Sequence, residues 1–285
     1  MKTENILITG AGTGFGRMMA LALAEMGKNV IATTEVSSQV SALEKEAEDL
    51  NLQMKIEKLD VTNPKDREKA WEWDIDVLVN NAAIKEGGSL VDIPEENLKN
   101  QFEVNIIGPT LLTQGFARQM IDKKEGRIVF FSSISGLMVN PFSGPYSASK
   151  YATEAIANTL AQELQEFNIE VQTINPGPYL TGFNDREMET WKNWMTDPDQ
   201  NIFNYEDVAF PFEQFDPNEV IAPAIEVILG DSHAYRTVIP EKMVKQVQKT
   251  EKGLWDKKAD ENLGKRHPMV EKAYELEPRT KAEDA

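Results

Sequence analysis

The first 176 residues of this chain alternate short apolar runs with longer helical patterns. The runs short enough for buried strands are Asn5–Thr9, Asn29–Thr33, Met54–Leu59, Asp76–Val79, Arg127–Ser132 and Glu170–Ile174. The helical patterns are Phe15–Met26, Ser37–Leu50, Pro64–Trp71, Glu95–Met120 and Tyr146–Phe167. Apolar strands separated by helices are typical of a parallel sheet covered on both faces. We therefore predict a doubly wound α/β fold, with ligands at the carboxyl ends of its strands.

The pattern changes after Pro176. Residues 179–216 are rich in aromatic side chains and broken by Pro, Asp and Asn, which predicts a lid of short helices and loops. A helix at Pro217–Leu229 and a strand at Thr237–Ile239 are expected to complete a single catalytic domain over residues 1–240. Residues 241–285 form a charged extension, expected to be one or two surface helices or partly disordered at Glu277–Ala285.

Composition excludes several classes of function. Thirty basic and 47 acidic residues give a net charge of −17, so we expect neither nucleic acid nor a membrane as a partner. The chain has no cysteine, which excludes disulfides, thiolate nucleophiles and Fe–S clusters. His233 and His267 have no metal-ligand spacing around them, so no metal site is expected. A signal peptide or an apolar spanning segment is not visible, and we expect a cytoplasmic protein.

A glycine-rich loop, TGAGTGFG, follows the first strand and opens a helix at Thr9–Gly16. Gly10 permits the sharp turn, Gly14 lets the backbone approach a pyrophosphate, and Gly16 allows the helix to pack closely on the strand. The N–H groups at the start of the helix would then face the anion. The loop predicts a dinucleotide site.

Tyr146 and Lys150 lie four residues apart at the start of a helical pattern, so both project from one helix face. An ammonium near a phenol favours the phenolate, so Lys150 is expected to lower the pKa of Tyr146 from about 10. Such a tyrosine can act as a general acid and base.

The spacing T-G-x-x-x-G-x-G resembles that of the short-chain dehydrogenase/reductase family. The same family is indicated by NNAA at Asn80–Ala83, SSISG at Ser132–Gly136, YSASK at Tyr146–Lys150 and NPGPYLT at Asn175–Thr181. The resemblance covers about residues 1–182 and implies a Rossmann-like sheet of about seven strands. One departure is Ala83, where the family usually has glycine, and we expect little effect from it.

The resemblance also implies a set of cofactor contacts. Asp60 would hydrogen-bond the adenine with Val61 beside the ring, although Asp60 could instead cap the helix that begins at Pro64. The candidate contacts are Gly10, Thr13, Gly14, Phe15, Gly16, Thr34, Asp60, Val61, Asn81, Ala82, Ala83, Tyr146, Lys150, Pro176, Gly177, Tyr179 and Thr181.

The end of the second strand is expected to distinguish NAD from NADP. Thr34 occupies the usual aspartate position of the family, and Glu35 stands where NADP enzymes often carry arginine. Glu35 would repel a 2′-phosphate, which favours NAD. Thr34 could hydrogen-bond either cofactor, and Lys28 or Arg17 could reach the site from nearby, so NADP stays open.

The resemblance implies that Ser133 holds the substrate oxygen, that Tyr146 transfers the proton and that Lys150 also binds the nicotinamide ribose. The chemistry is hydride transfer between a nicotinamide and an alcohol or carbonyl carbon. The neighbouring hydroxyls are interpreted as loop and helix-cap groups; they belong to Ser132, Ser135, Ser143 and Ser147.

Asn105 matches the fourth catalytic position of the family. Pro109 lacks the N–H that would bond the Asn105 carbonyl in an ideal helix, and with Gly108 it predicts a kink that frees this carbonyl. Our hypothesis is that the carbonyl holds a water linking Lys150 to solvent. The alternative is that Gly108–Pro109 merely bends the helix around the core.

The aromatic lid predicts either an apolar pocket or a small satellite core. A pocket would suit a medium-sized hydrophobic alcohol or ketone, and small polar acids are expected to be poor substrates. We also expect a homodimer or homotetramer, with Ala152, Ala155, Ala157 and Ala161 either at the contacts or against the sheet. Alternative interpretations are a catalytically silent dinucleotide-binding regulator and a sugar-nucleotide epimerase, whose early glycine loop and larger C-terminal domain this chain lacks.

Overall fold

A computed structural model describes residues 4–195 and 197–276 and contains one parallel sheet in the order β3-β2-β1-β4-β5-β6-β7. The strands are β1 Asn5–Ile8, β2 Asn29–Thr34, β3 Lys55–Lys58, β4 Val77–Asn80, β5 Gly126–Phe131, β6 Ile169–Pro176 and β7 Arg236–Ile239. The order reverses between β1 and β4, which is the place where open α/β sheets bind ligands. The predicted fold class is confirmed.

Helices cover both faces of the sheet. They are α1 Gly14–Glu25, α2 Ser37–Asp49, α3 Pro64–Ala70, α4 Glu95–Phe102, α5 Gly108–Lys123, α6 Gly144–Glu163, α7 Phe183–Glu187, α8 Asn218–Leu229, α9 Val244–Asp256 and α10 Pro268–Glu275. Buried residues of α1, α2 and α8 pack on one face, and those of α5 and α6 on the other. Alternate residues of β1 take part in the two cores, Ile6 and Ile8 in one and Leu7 in the other.

The helix predicted at Glu95–Met120 is interrupted. Between α4 and α5 the chain forms a π-helical segment, Glu103–Ile107, that ends immediately before Gly108 and Pro109. Pro109 has no N–H to continue the regular ladder, so the expected distortion takes this form. The backbone at Gly108 also approaches Val61 closely, since a Cβ atom there would lie 2.7 Å from the Val61 carbonyl oxygen.

The lid consists of α7 and short 3₁₀ turns at Thr190–Asn193, Pro198–Gln200 and Tyr205–Asp207. Helix α10 packs against it through Val270 and Ala273. The extension, for which one or two surface helices were expected, contains α9 and α10, whereas Glu277–Ala285 lies outside the described residues. No helix in the described ranges has the length and apolarity that a bilayer crossing requires.

Candidate active site

The turn from β1 into α1 has two glycines in the left-handed region, Gly10 with φ of 66° and Gly14, the first residue of α1, with φ of 54°. A Cβ atom at Gly14 would meet only the Thr181 Cβ atom, at 3.8 Å. The space beside Gly14 is therefore left open by the protein. By contrast, a Cβ atom at Gly16 would lie 2.4 Å from the Gly10 carbonyl oxygen, so Gly16 serves the close packing of helix on loop.

Asn81 and Thr9 support this loop from the neighbouring strands. The Asn81 side chain donates to the carbonyl oxygens of Thr9, at 2.9 Å, and Gly10, at 3.1 Å. The Thr9 hydroxyl accepts hydrogen bonds from the N–H groups of Asn81 and Ala82, both at 3.0 Å. The NNAA motif thus fixes the shape of the glycine loop, a role that the sequence interpretation of Thr9 and Asn81 did not include.

A cavity of about 770 Å³ runs along the carboxyl edge of the sheet from the glycine loop to the lid. The predicted site residues that line it are Gly10, Thr13, Gly14, Phe15, Asp60, Val61, Asn81, Ala82, Ala83, Ser133, Tyr146, Lys150, Pro176, Gly177, Tyr179 and Thr181. Three predicted residues, Gly16, Thr34 and Asn105, do not line it. The volume, the glycine loop and the helix N-terminus fit a dinucleotide.

Thr34 is turned away from the cavity. Its side chain is fully buried and its hydroxyl donates a 3.1 Å hydrogen bond to the Val36 carbonyl oxygen, within the same turn. Glu35, the next residue, lines the cavity instead. Arg17 is paired with Glu46, its Nε atom lying 2.6 Å from a carboxylate oxygen, and it does not line the cavity.

Asp60 does not cap the helix that follows it. Its carboxylate accepts hydrogen bonds from the N–H and hydroxyl of Thr62, at 2.9 and 2.7 Å. The cap of α3 is Asn63, whose side-chain oxygen accepts from the Lys65 N–H at 2.9 Å. The helix-cap interpretation of Asp60 is therefore wrong, and Asp60 lines the cavity.

Ser133, Tyr146 and Lys150 meet where β5 ends and α6 begins, and all three are buried. The Ser133 hydroxyl accepts from the Ser135 N–H at 3.1 Å, which fixes it at the start of a 3₁₀ turn. Burial raises the pKa of Tyr146, an interaction with Ser133 lowers it, and the charge of Glu187 raises it. The expectation that Lys150 lowers the pKa of Tyr146 is wrong for this structure, because desolvation dominates.

Lys150 is held by the sheet. Its Nζ atom donates a 2.8 Å hydrogen bond to the Phe131 carbonyl oxygen and lies 5.6 Å from the centroid of the Tyr146 ring. Burial lowers the pKa of Lys150 to about 8, an effect that the carboxylate of Glu154 opposes. A lysine with this pKa titrates within reach of neutral pH.

The side chain of Asn105 is occupied by the protein. Its oxygen accepts from the Ile84 N–H at 2.9 Å, and its nitrogen donates to the Ile84 carbonyl and the Ser149 hydroxyl, both at 3.0 Å. Ser149 in turn donates to the Tyr146 carbonyl oxygen at 2.7 Å. Asn105 therefore ties the loop after β4 to α6, behind the cavity.

Two basic residues that line the cavity, Lys85 and Lys272, were missed by the sequence interpretation. Lys85 follows the NNAA motif, and its side chain lines the cavity close to Tyr146. Its counterion is Glu187 of α7, which also accepts a hydrogen bond from Ser143. Ser143 stands at the N-cap position of α6, but its hydroxyl bonds to Glu187 and makes no cap hydrogen bond. The position of Lys85 two residues after the NNAA motif was the sequence signal that could have placed it at the cavity.

The lid aromatics divide between the two alternatives. Phe183, Phe210, Phe212 and Phe215 line the cavity. Trp191, Trp194, Phe203 and Tyr205 instead pack with Phe142 in a satellite core that also includes residues of α10. One set of rings thus forms an apolar wall of the cavity, and the other set stabilises the lid itself.

The sheet order, the glycine loop at its switch point and the buried Ser133, Tyr146 and Lys150 together define a dinucleotide-dependent oxidoreductase. Residues 4–192 match the short chain dehydrogenase family. The chain belongs to that family and is an NAD(P)-dependent oxidoreductase.

Among curated proteins, a 3-ketodihydrosphingosine reductase from Bacteroides thetaiotaomicron is 36% identical over 191 residues, covering 65% of this chain and 67% of that protein. Retinol dehydrogenase 8 from Bos taurus is 31% identical over 219 residues, covering 73% of this chain and 70% of that protein. A crystal structure of actinorhodin polyketide ketoreductase with NADPH shares the fold with a TM-score of 0.71 and 24% identity, covering 83% of this chain and 95% of that chain.

Proposed function

We propose that the protein interconverts a secondary alcohol and a ketone, with Tyr146 as the residue that transfers the proton. The observation that carries this proposal is the burial of Tyr146, Ser133 and Lys150 together in the cavity that starts at the glycine loop. A nicotinamide dinucleotide, when bound, supplies the hydride chemistry. Gly10, Gly14 and the start of α1 would hold its pyrophosphate.

In ketone reduction, the Tyr146 hydroxyl donates a proton to the carbonyl oxygen. The Ser133 hydroxyl donates a hydrogen bond to the same oxygen and stabilises the charge that develops on it. The raised pKa of Tyr146 keeps its proton in place at neutral pH, which suits reduction. For alcohol oxidation the phenol must first lose that proton, so we expect oxidation to rise with pH.

The substrate is a medium-sized hydrophobic ketone or alcohol. Phe183, Phe210, Phe212 and Phe215 form an apolar wall of the cavity, and the Phe183 ring centroid lies 5.8 Å from that of Tyr146, which supports this. The two curated relatives are named for 3-ketodihydrosphingosine and retinol, and ketones and alcohols of that kind are the first to test.

The preferred cofactor is NAD. Glu35, just after β2, lines the cavity. Within the described ranges, no basic residue from the end of β1 or β2 lines it; the basic residues that do are Lys85, Lys150, Arg186 and Lys272. A 2′-phosphate beside Glu35 would meet a negative charge, which disfavours NADP. NADP stays the alternative.

Residues 1–240 act as one catalytic domain, with the lid inserted at about 179–216 and residues 241–285 as an extension. The working form is a homodimer or homotetramer. Ala157 and Ala161 pack into the protein, whereas Ala155 is exposed and open to a partner copy. Light scattering after size exclusion measures the assembly directly; a monomer would refute this part of the proposal.

Activity is tested by titrating NADH and NADPH separately and screening ketones with the cofactor that binds more tightly. We expect turnover of hydrophobic ketones and little turnover of small polar acids. Cofactor binding without oxidation of NADH or NADPH across a broad panel would instead support the silent regulator.

A further inference from the structure

A second buried lysine lies beside Tyr146. The Nζ atom of Lys85 is 5.0 Å from the centroid of the Tyr146 ring and 5.1 Å from that of Phe210. The side chain is only 5% exposed, yet it lines the cavity. A substrate whose carbonyl reaches Tyr146 would therefore lie close to this ammonium.

The partners of Lys85 both come from α7 of the lid. Its Nζ atom lies 2.6 Å from a carboxylate oxygen of Glu187 and donates a 2.9 Å hydrogen bond to the side-chain oxygen of Asn184. An ammonium has three N–H groups, and these two partners take at most two of them within the described part of the chain, since the contact with Glu187 is an ion pair without hydrogen-bond geometry. A buried charged donor left without an acceptor is costly, so the third N–H calls for an oxygen in the cavity.

The charge of the pair decides which oxygen fits. Glu187 is fully buried and is the counterion of Lys85, so the two side chains, when both are ionised, together carry no net charge. Burial raises the pKa of Glu187, whereas the Lys85 ammonium and the Ser143 hydroxyl lower it. A substrate carboxylate would compete with Glu187 for the ammonium and add a negative charge near the Tyr146 phenol, where Glu187 already disfavours ionisation. A neutral oxygen satisfies the third N–H without that cost.

We propose that Lys85 is a specificity-determining residue that binds a neutral oxygen of the substrate, such as a hydroxyl or an ester carbonyl, next to the reacting ketone. This inference rests on the proposed function of the same site. The substrate class is then a hydrophobic ketone bearing a second oxygen near the reacting carbon. Glu187 sets the preference for a neutral rather than an anionic oxygen.

The test compares a β-keto ester, the plain ketone of the same chain length and the freshly prepared β-keto acid, each by kcat/KM. We expect the wild-type protein to favour the ester over the plain ketone by about tenfold or more. The double variant Lys85→Met/Glu187→Gln removes both charges and leaves neither side chain as an unpaired buried ion. In it the ester-to-ketone ratio is expected to fall about tenfold while the plain ketone is still reduced.

Glu187→Gln alone is expected to raise kcat/KM for the β-keto acid relative to that for the β-keto ester, because the Lys85 ammonium then lacks its counterion. Lys192→Met, on the lid surface and paired with Glu189, is the matched control and should change no ratio. Equal wild-type rates for ester and ketone, or an unchanged ratio in the active double variant, would overturn the role of Lys85 alone. Failure of the wild-type protein to reduce any ketone would overturn the proposed function as well.

Discussion

The ammonium of Lys150 donates a 2.8 Å hydrogen bond to the carbonyl oxygen of Phe131, the last residue of β5. This bond fixes the first turns of α6 against the sheet and holds Lys150 within 5.6 Å of the Tyr146 ring centroid. It also keeps a cation where water is scarce, which is why the pKa of Lys150 falls to about 8.

That shift predicts a dependence of stability on pH. The folded-state pKa of Lys150 lies below its unfolded value of 10.5, so the unfolded chain binds more protons between pH 8 and 10.5. The contribution of Lys150 to stability therefore rises with pH over this window, by up to about 3 kcal/mol. Urea unfolding of the wild-type protein and Lys150→Met at several pH values measures it. The difference in unfolding free energy between the wild-type protein and Lys192→Met should not change with pH. A pH-independent difference for Lys150→Met would contradict the prediction.

Tyr146→Phe removes the proton donor and leaves the ring. We expect turnover to fall by at least about a hundredfold, while cofactor affinity changes little. Tyr151→Phe, one turn further on α6 and partly exposed, is the control and should keep full activity. Steady-state kinetics with NADH titration separates the two effects; substantial turnover by Tyr146→Phe would exclude the phenol as the proton donor.

Gly14→Ala is expected to weaken cofactor binding about tenfold or more with a small loss of stability, because its Cβ atom would enter the space left for the pyrophosphate. Gly27→Ala is the matched control, since Gly27 also has a positive φ, of 72°, and nothing lies within 4 Å of its Cβ position. Both variants carry the same kind of backbone strain. Equal affinity in the two variants, measured by fluorescence titration, would argue against a pyrophosphate at Gly14.

Glu35→Arg reverses the charge at the end of β2. We expect the Kd for NADPH to fall about tenfold and the Kd for NADH to change little, because the guanidinium can pair with a 2′-phosphate. Glu25→Arg, exposed at the end of α1, should leave both constants unchanged. A wild-type protein that already binds NADPH more tightly than NADH would refute the preference for NAD.

Pro109→Ala restores an N–H that can bond the Asn105 carbonyl. If that carbonyl holds the water linking Lys150 to solvent, turnover should fall severalfold and the pH–rate profile should shift, with cofactor affinity unchanged. Pro217→Ala, which precedes α8, is the control. An unchanged profile would mean that Gly108–Pro109 only shape the helix.

The sequence was sufficient for most strands, because they are apolar runs bounded by turn residues; β3, with the sequence KIEK, was found only through the apolar residues that flank it, Met54 and Leu59. It located the glycine loop and the group Ser133, Tyr146 and Lys150 through their spacing. The sequence did not reveal how deeply Tyr146 is buried, and this burial reverses the expected direction of its pKa shift. The direction of side chains was also hidden, so Thr34 was placed at the cavity although its hydroxyl bonds to Val36.

Long-range partners were the second kind of information missing. Glu187 is 102 positions beyond Lys85 in the chain, and only the folded lid brings the two together. For the same reason the lid aromatics could not be divided in advance between the cavity wall and the satellite core. Their assignment depends on α10, which contributes Val270 and Ala273 to that core.

Helix α10 rests on the lid, and its Lys272 lines the cavity together with Met243 and Gln246. All three lie beyond residue 192, where the match to the family ends. Part of the cavity wall therefore comes from segments outside the family match, whereas Ser133, Tyr146 and Lys150 lie within it. Substitutions in those segments can reshape the wall without touching the residues of the proton chemistry.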